Sequence, residues 1–400
     1  MANTNSRNIS IEVSISAAPP DNGHPNDSGA RDLRLFRNGL LVKTWPGNLL
    51  RDRKSITIET SVPIVAGENK FSAYAFNGDN IKSSDAKFLV DGPLNLKRQG
   101  TAYLVLIGIE QYENPEYNLR YAAADVLEME AQLKAQQEKL GKYNPIVTVP
   151  LLNADATKAN LLLALERLSG SNNGPLAPGA PAVLERIKPA QPEDAVLLYF
   201  SGHGVSANDH FYLIPHDLGY KGARKQLNKN GLQQILSRGV SDDELEAALQ
   251  PLDVNQLLLV IDACYSGQAI ESTERRRGPM NTKGLAQLAY EKGMYVLTAS
   301  QNIEVAFEAE AFKHSYLAHA LLEEGLKEGL ADANPRDGNI FLGEWFDYAN
   351  RRVPQLRKLS LKRKELVEEE ADEQKVQRPR VFYTREEGAK NFLVGRVSTN

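Results

Sequence analysis

From Ile9 to Ile15 every second residue is apolar (Ile9, Ile11, Val13, Ile15), with Ser and Glu between them. A period of two is the pattern of a strand with one buried face. Short strand-like runs follow at Leu33–Phe36, Leu40–Trp45, Ser55–Thr60, Lys70–Phe76 and Lys87–Val90. Between the first two of these, Asn38-Gly39 predicts a two-residue hairpin, because both turn positions need φ > 0. Turns containing Pro, Gly or Asn separate the others, and residues 18–30 read as a loop. Short strands at this spacing predict a small immunoglobulin-like β-sandwich over residues 1–95.

Residues 91–100 read as a linker, after which the pattern changes. Tyr103–Ile109 is continuously apolar, as in a strand buried on both faces. Ala122–Leu140 predicts a helix stopped by Gly141, Ile146–Leu151 a strand, and Ala156–Leu168 a helix stopped by Ser169-Gly170. Buried strands follow at Ala195–Phe200, Leu257–Ile261 and Met294–Ala299, and helices at Ser241–Leu249, His314–Leu326 and Gly343–Arg351. This alternation predicts an α/β domain over residues 101–400, a mainly parallel sheet flanked by helices. Two stretches fit no element: the polar Leu218–Val240, with Lys221, Arg224, Lys225 and Lys229, and Gly267–Gly284, with Arg275, Arg276 and Arg277. Lys362–Lys375 reads as a mixed-charge helix with solvated faces.

Composition narrows the classes. With 42% hydrophobic and 24% charged residues the chain is too apolar for a disordered one, and 400 residues suggest two or three domains. Lys+Arg 47 against Asp+Glu 51 leaves net charge −4, so no global basic field points to nucleic acid or an anionic membrane. The apolar runs fall far short of the roughly 18 residues that span a bilayer. Residues 1–8 have no apolar stretch resembling a signal peptide, so a cytoplasmic location is expected. A single Cys excludes an internal disulfide and every multi-Cys metal framework. His203, His210 and His216 match no usual zinc spacing.

That Cys stands in a suggestive place. One apolar run leads into Ser201-Gly-His-Gly204, another into Asp262-Ala-Cys-Tyr-Ser-Gly267. In open α/β sheets ligands bind at the carboxyl ends of strands. Glycines 202, 204 and 267 would let the backbone turn sharply there and approach a substrate. A thiol needs a base, since the thiolate is the nucleophile. His203 can take that proton and later protonate a leaving amine, with Cys264 as nucleophile. The N–H groups of Gly204 and Cys264 are candidate oxyanion donors. Taken singly, each residue has a plainer reading. A lone Cys is usually a small buried hydrophobe, and a lone His is more often structural. The Arg275–Arg277 run also reads as a solvated loop.

Together the two motifs resemble the caspase-like cysteine peptidases, closest to the metacaspase and prokaryotic caspase branch. The resemblance extends to Leu104-Val-Leu-Ile-Gly-Ile-Glu-Gln-Tyr112, Leu119-Arg-Tyr-Ala-Ala-Ala-Asp125, Tyr212-Leu-Ile-Pro-His-Asp217, Thr298-Ala-Ser-Gln301 and His314-Ser-Tyr-Leu-Ala-His-Ala-Leu-Leu322. It departs from the animal caspase signature. Asp262 replaces a Gln, and the His lies 61 residues before the Cys (264 − 203) instead of about 50.

The resemblance implies thiol peptide hydrolysis through an acyl-enzyme, with no cofactor required. It also implies an acidic S1 pocket for Arg or Lys, whose two carboxylates map onto Asp125 and Asp262. Carboxylate–guanidinium pairing agrees with that, although Asp125 also fits a solvent-facing carboxylate early in a helix. Activation by cutting is implied at Arg275, Arg276 or Arg277, or within Lys221–Lys229, by the enzyme itself or an upstream protease. Asp217, Asp242 and Asp243 match part of a calcium-binding pattern. The implied partners are proteins with exposed Arg or Lys sites, in a bacterial defence or cell-death setting. Two alternatives stay open: a catalytically silent scaffold whose sandwich recruits a partner, and a peptidase of different P1 preference.

Overall fold

In the computed structural model the period-two run becomes β1 (Asn8–Ser16), whose Ile11 and Ile15 are buried while the Ser and Glu between them are exposed. The structure describes residues 6–20, 27–208, 210–265, 283–299, 308–309, 312–365, 377–382 and 392–397, with backbone alone at 264–265, 283–284, 308–309 and 360–365. β1 pairs antiparallel with β4 (Ser55–Pro63). A second antiparallel sheet runs β3 (Leu40–Asn48), β2 (Arg31–Arg37), β5 (Gly67–Phe76), β6 (Ala86–Gly92). Ile11, Ile15, Leu33, Leu35, Val62, Ile64 and Phe71 join the two sheets in one core. The predicted hairpin forms, with Asn38 at φ 53 and Gly39 at φ 82. The Asn38 side-chain oxygen also accepts the Lys70 N–H at 2.8 Å, tying the turn to β5. This compact unit comprises Met1–Gln99, Gln191–Glu193 and Gln250–Asn255.

The second unit holds the remaining residues and is the α/β structure the alternation predicts. β8 (Ile146–Leu152), β7 (Ala102–Gly108), β9 (Ala195–Ala207), β12 (Gln256–Tyr265) and β13 (Tyr295–Thr298) run parallel in that order, and β17 (Arg380–Phe382) adds antiparallel to β13. Every residue of β7 is buried, as a continuous apolar run requires when both sheet faces are covered.

On one face Leu104, Leu106, Leu197, Tyr199, Leu258 and Val260 pack in one cluster with three helical segments. These are α1 (Ala122–Leu140), α6 (Tyr316–His319) with its wider-turned continuation Ala320–Lys327, and α7 (Leu342–Glu365). The alternate strand residues Val105, Ile107, Val196, Leu198, Leu257 and Leu259 are equally buried. That face is left to α2 (Lys158–Ser169), α4 (Asp242–Leu249) and α5 (Lys283–Glu291), with α4 packed between the other two. Where β7 turns toward α1, a Cβ on Gly108 would lie 2.8 Å from the Ala122 carbonyl and from Val126, so only glycine lets strand and helix approach.

Four elements differ from the sequence expectation: β9, β12, α3 (Lys229–Arg238) and α6. β9 and β12 do not stop at Phe200 and Ile261: β9 runs on through Ser201–Gly204, and β12 through Asp262 to Tyr265. β7 leaves the edge of β9 at Ser201, and from Gly204 onward that edge is taken by β10 (His210–Leu213), which pairs with β11 (Val240–Ser241). The polar stretch expected to be a loop contains α3 (Lys229–Arg238), capped by the Asn228 side chain on Gly231 N–H at 3.0 Å. Its apolar stripe is only Leu232, Ile235 and Leu236, too short to stand out from the polar residues around it. The helix expected from His314 begins at Tyr316, because Ser315 caps it and His314–Ser315 forms β15, paired with β14 (Glu308–Ala309). Residues 267–282 of the expected loop, with Gly267, Arg275, Arg276 and Arg277, and most of Lys362–Lys375 lie outside the described residues, while Lys283 and Gly284 open α5. No helix among the described residues is long and apolar enough to cross a membrane.

Candidate active site

Parallel pairing of β9 and β12 sets Asp262 opposite Ser201 and Cys264 opposite His203. The two residues 61 positions apart in sequence (264 − 203) are thus cross-strand neighbours. For Cys264 the backbone is described, and for His203 the ring and its contacts with the described residues.

The His203 ring is 2% exposed. Its Nε2 lies 2.7 Å from the Tyr117 carbonyl oxygen, which can only accept, so Nε2 carries the proton and Nδ1 the lone pair. Nδ1 is buried with no hydrogen-bond partner among the described residues. Tyr112 lies against the imidazole with centroids 4.9 Å apart, and its hydroxyl accepts the His203 N–H at 2.7 Å. Tyr117 meets the ring edge-on at 6.1 Å, and the Arg224 guanidinium stands 5.5 Å from the Tyr117 ring centre. Burial lowers the His203 pKa from 6.5 to about 4, against the raising effect of the Tyr117 carbonyl and with help from Arg224. The imidazole is therefore neutral at pH 7, the form a general base needs.

The glycines beside it are used differently from the expectation. Gly202 and Gly204 lie inside β9, and neither has a positive φ. A Cβ on Gly202 would meet the Tyr112 hydroxyl at 3.0 Å, and one on Gly204 would meet Phe211 at 2.7 Å and Ala263 at 3.1 Å. They permit close packing, not a sharp turn. Gly204 is paired in register with Leu213 and Tyr265.

Asp125 and Asp262 are brought together. Asp125 sits in the first turn of α1 yet is 1% exposed, so the solvent-facing alternative does not describe it. Ser315 joins the two carboxylates: its N–H lies 3.3 and 3.2 Å from the Asp125 oxygens, and its hydroxyl donates to Asp262. The same Oγ accepts the Ala318 N–H at 2.9 Å and so caps α6. The Tyr199 hydroxyl donates to Asp262 at 3.3 Å; burial first, then both carboxylates, hold its pKa well above the ordinary phenol value. His314 places Nδ1 2.7 Å from Asp125. Sequence reasoning missed Tyr112, Tyr117, Tyr199, Arg224, His314 and Ser315. Tyr112 closes one quoted motif, His314 and Ser315 open another, and Arg224 lies in the polar stretch, but no local pattern says which groups they meet.

The calcium set is only partly assembled. Ligand atoms of His210, Asp242 and Asp243 lie within 4.8 Å of one another, and Asp217 is not in that group. Asp217 faces Arg238 at 3.9 Å instead. Asp242 already accepts from Phe211 N–H at 3.2 Å and pairs with His210 Nδ1 at 2.9 Å. A hard cation wants an oxygen cage, so these described donors do not fit calcium, and no step is derived through it.

His203 and Cys264 thus lie in register on adjoining parallel strands of a helix-flanked sheet. A family model of the caspase domain matches residues 101–381, and the chain belongs to that family of cysteine peptidases. No curated protein sequence matches. Among solved structures, similarity is found to fibronectin(III)-like modules of Clostridium thermocellum CbhA, with 15% identity over 21% of this chain and 81% of that one, TM-score 0.14. Protein YXIM of Bacillus subtilis has 13% identity over 72% and 64% of the respective chains, TM-score 0.20. Likeness at this level carries no structural argument.

Proposed function

We propose that this caspase-family protein is an endopeptidase that cleaves proteins after Arg or Lys. His203 Nδ1 takes the thiol proton, Cys264 Sγ attacks the scissile carbonyl, and the imidazolium returns the proton to the leaving amine. Water then hydrolyses the thioester, with His203 as base. The N–H groups of Gly204 and Cys264 are the oxyanion donors of this reading, and Asp125 with Asp262 receives the basic P1 side chain. The observation that carries it is the His203–Cys264 register, with two buried carboxylates gathered on Ser315 beside it. Under the same reading Arg275, Arg276 and Arg277 are cut by the enzyme itself or by an upstream protease, and this switches the enzyme on.

Fluorogenic peptides ending in Arg, Lys, Asp or Leu test the proposal. Arg and Lys reporters are cleaved, and Cys264→Ala abolishes the cleavage. Asp125→Asn and Asp262→Asn each lower kcat/KM on basic reporters about 100-fold, the scale of an unpaired buried charge. Activity retained in Cys264→Ala, or faster cleavage after Asp or Leu, overturns it.

A further inference from the structure

The pocket proposed for a basic side chain already holds one. His314 Nδ1 lies 2.7 Å from Asp125 Oδ1, and the His314 side chain is 15% exposed. We infer that His314 is the resident occupant of this pocket, which an incoming Arg or Lys side chain must displace from Asp125, so that binding of the substrate cation releases a proton. The inference rests on the basic-pocket reading above and adds its regulation.

Geometry sets up the competition, since His314 already engages Asp125 Oδ1. His314 directly precedes Ser315, whose N–H and hydroxyl hold Asp125 and Asp262. The imidazole therefore approaches Asp125 from the strand that assembles the pocket. The charged groups around it favour its cationic form. Asp125 and Glu128 face it from α1 and Glu323 from the helix that follows, while burial lowers the pKa of the neighbouring His319 and disfavours a second cation there. Asp262 on β12 and Tyr199 on β9 connect through Ser315, Glu308 lies on the paired strand β14, and Lys313 precedes it in sequence. The hydrogen bond to Asp125, more than any other contact, raises the His314 pKa above 6.5.

The exchange balances simply. The pair of imidazolium and carboxylate, plus guanidinium, becomes a neutral imidazole, a guanidinium–carboxylate pair and one proton given to buffer. A guanidinium keeps its charge at every working pH and can bind both carboxylate oxygens, so it gains on His314 as the pH rises. Below the His314 pKa, affinity for the cation should fall about tenfold per pH unit, the slope of one linked proton.

Calorimetric titration of the protein with agmatine, an arginine-like cation, at pH 5.5, 6.5 and 7.5 tests this without any catalytic readout. Two buffers of different ionisation enthalpy report the protons released. The intact protein is expected to release up to one proton and to bind about tenfold more weakly per pH unit toward pH 5.5. His314→Ala is expected to bind with little pH dependence and at least about tenfold more tightly than the intact protein at pH 5.5. His314→Gln, which keeps size and a neutral donor, shows the same flattening and guards against a folding defect. Agmatine binding with equal slopes in all three proteins overturns the inference and leaves the pocket standing. Weaker binding in both variants at pH 7.5 makes His314 a brace for Asp125 and also overturns it. No binding to any of the three at any pH overturns the basic-pocket reading itself.

Discussion

A buried imidazole that refuses a proton leaves its mark on stability as well as on chemistry. His203 titrates near 6.5 when unfolded and at about 4 when folded. Between those values the unfolded chain binds a proton that the folded chain does not. The contribution is therefore complete above pH 6.5 and lost as pH falls toward 4. At about 1.4 kcal/mol per pH unit, the loss is on the order of 3 kcal/mol. Urea unfolding at pH 7 and pH 4.5 should show a larger drop for the intact protein than for His203→Gln; equal drops would mean that His203 titrates normally. His203 itself was legible, because motif and apolar run adjoin in sequence. Its cradle was not: Tyr112 and Tyr117 lie 91 and 86 positions away, and only folding brings them to the ring.

Scaled up to elements, the site is a product of two strands continuing where sequence suggested they end. An apolar run marks where a strand is covered on both faces, but backbone pairing, not hydrophobicity, decides where it stops. Ser201–Gly204 stays extended because β12 on one side and the β7-to-β10 succession on the other supply partners. Gly204→Ala would press a methyl onto Phe211 and Ala263, and should cost about 1–3 kcal/mol as an overpacked core position. A melting temperature unchanged by that substitution would refute the packing role.

The helical face of the same sheet carries a further buried charge. Glu324 receives Arg352 Nε and Nη2 at 2.7 Å each and the Tyr348 hydroxyl at 2.9 Å. Arg352→Met strands that carboxylate and should destabilise by about 3 kcal/mol, whereas Arg352→Met with Glu324→Met should recover most of it. Additive losses in the double variant would show the pair is not coupled.

On the scale of the whole molecule, each unit has a core of its own and one tryptophan. Trp45 packs against the first core, and Trp345, fully buried, belongs to the second, its indole N–H on the Leu321 carbonyl at 2.8 Å. Trp45→Phe and Trp345→Phe give single-tryptophan proteins whose indole emission follows one unit each. Leu35→Ala, a fully buried position of the first core, should lower the urea midpoint seen by Trp45 by the equivalent of about 3 kcal/mol and move the midpoint seen by Trp345 much less. Equal shifts would show that the units unfold as one.

The period-two runs, the continuous apolar strands and the two polar motifs after them were determined by the sequence alone. They are local facts, since side-chain periodicity sets burial; that His203 and Cys264 face each other follows from the pairing of β9 with β12. The short helix α3, the reach of β9 and β12, and the meeting of Asp125, Asp262 and His314 at Ser315 were decided by tertiary structure. Their partners lie as much as 190 positions apart, as between Asp125 and Ser315. Buried polar groups must find those partners wherever the sheet puts them, and no local pattern records where that is.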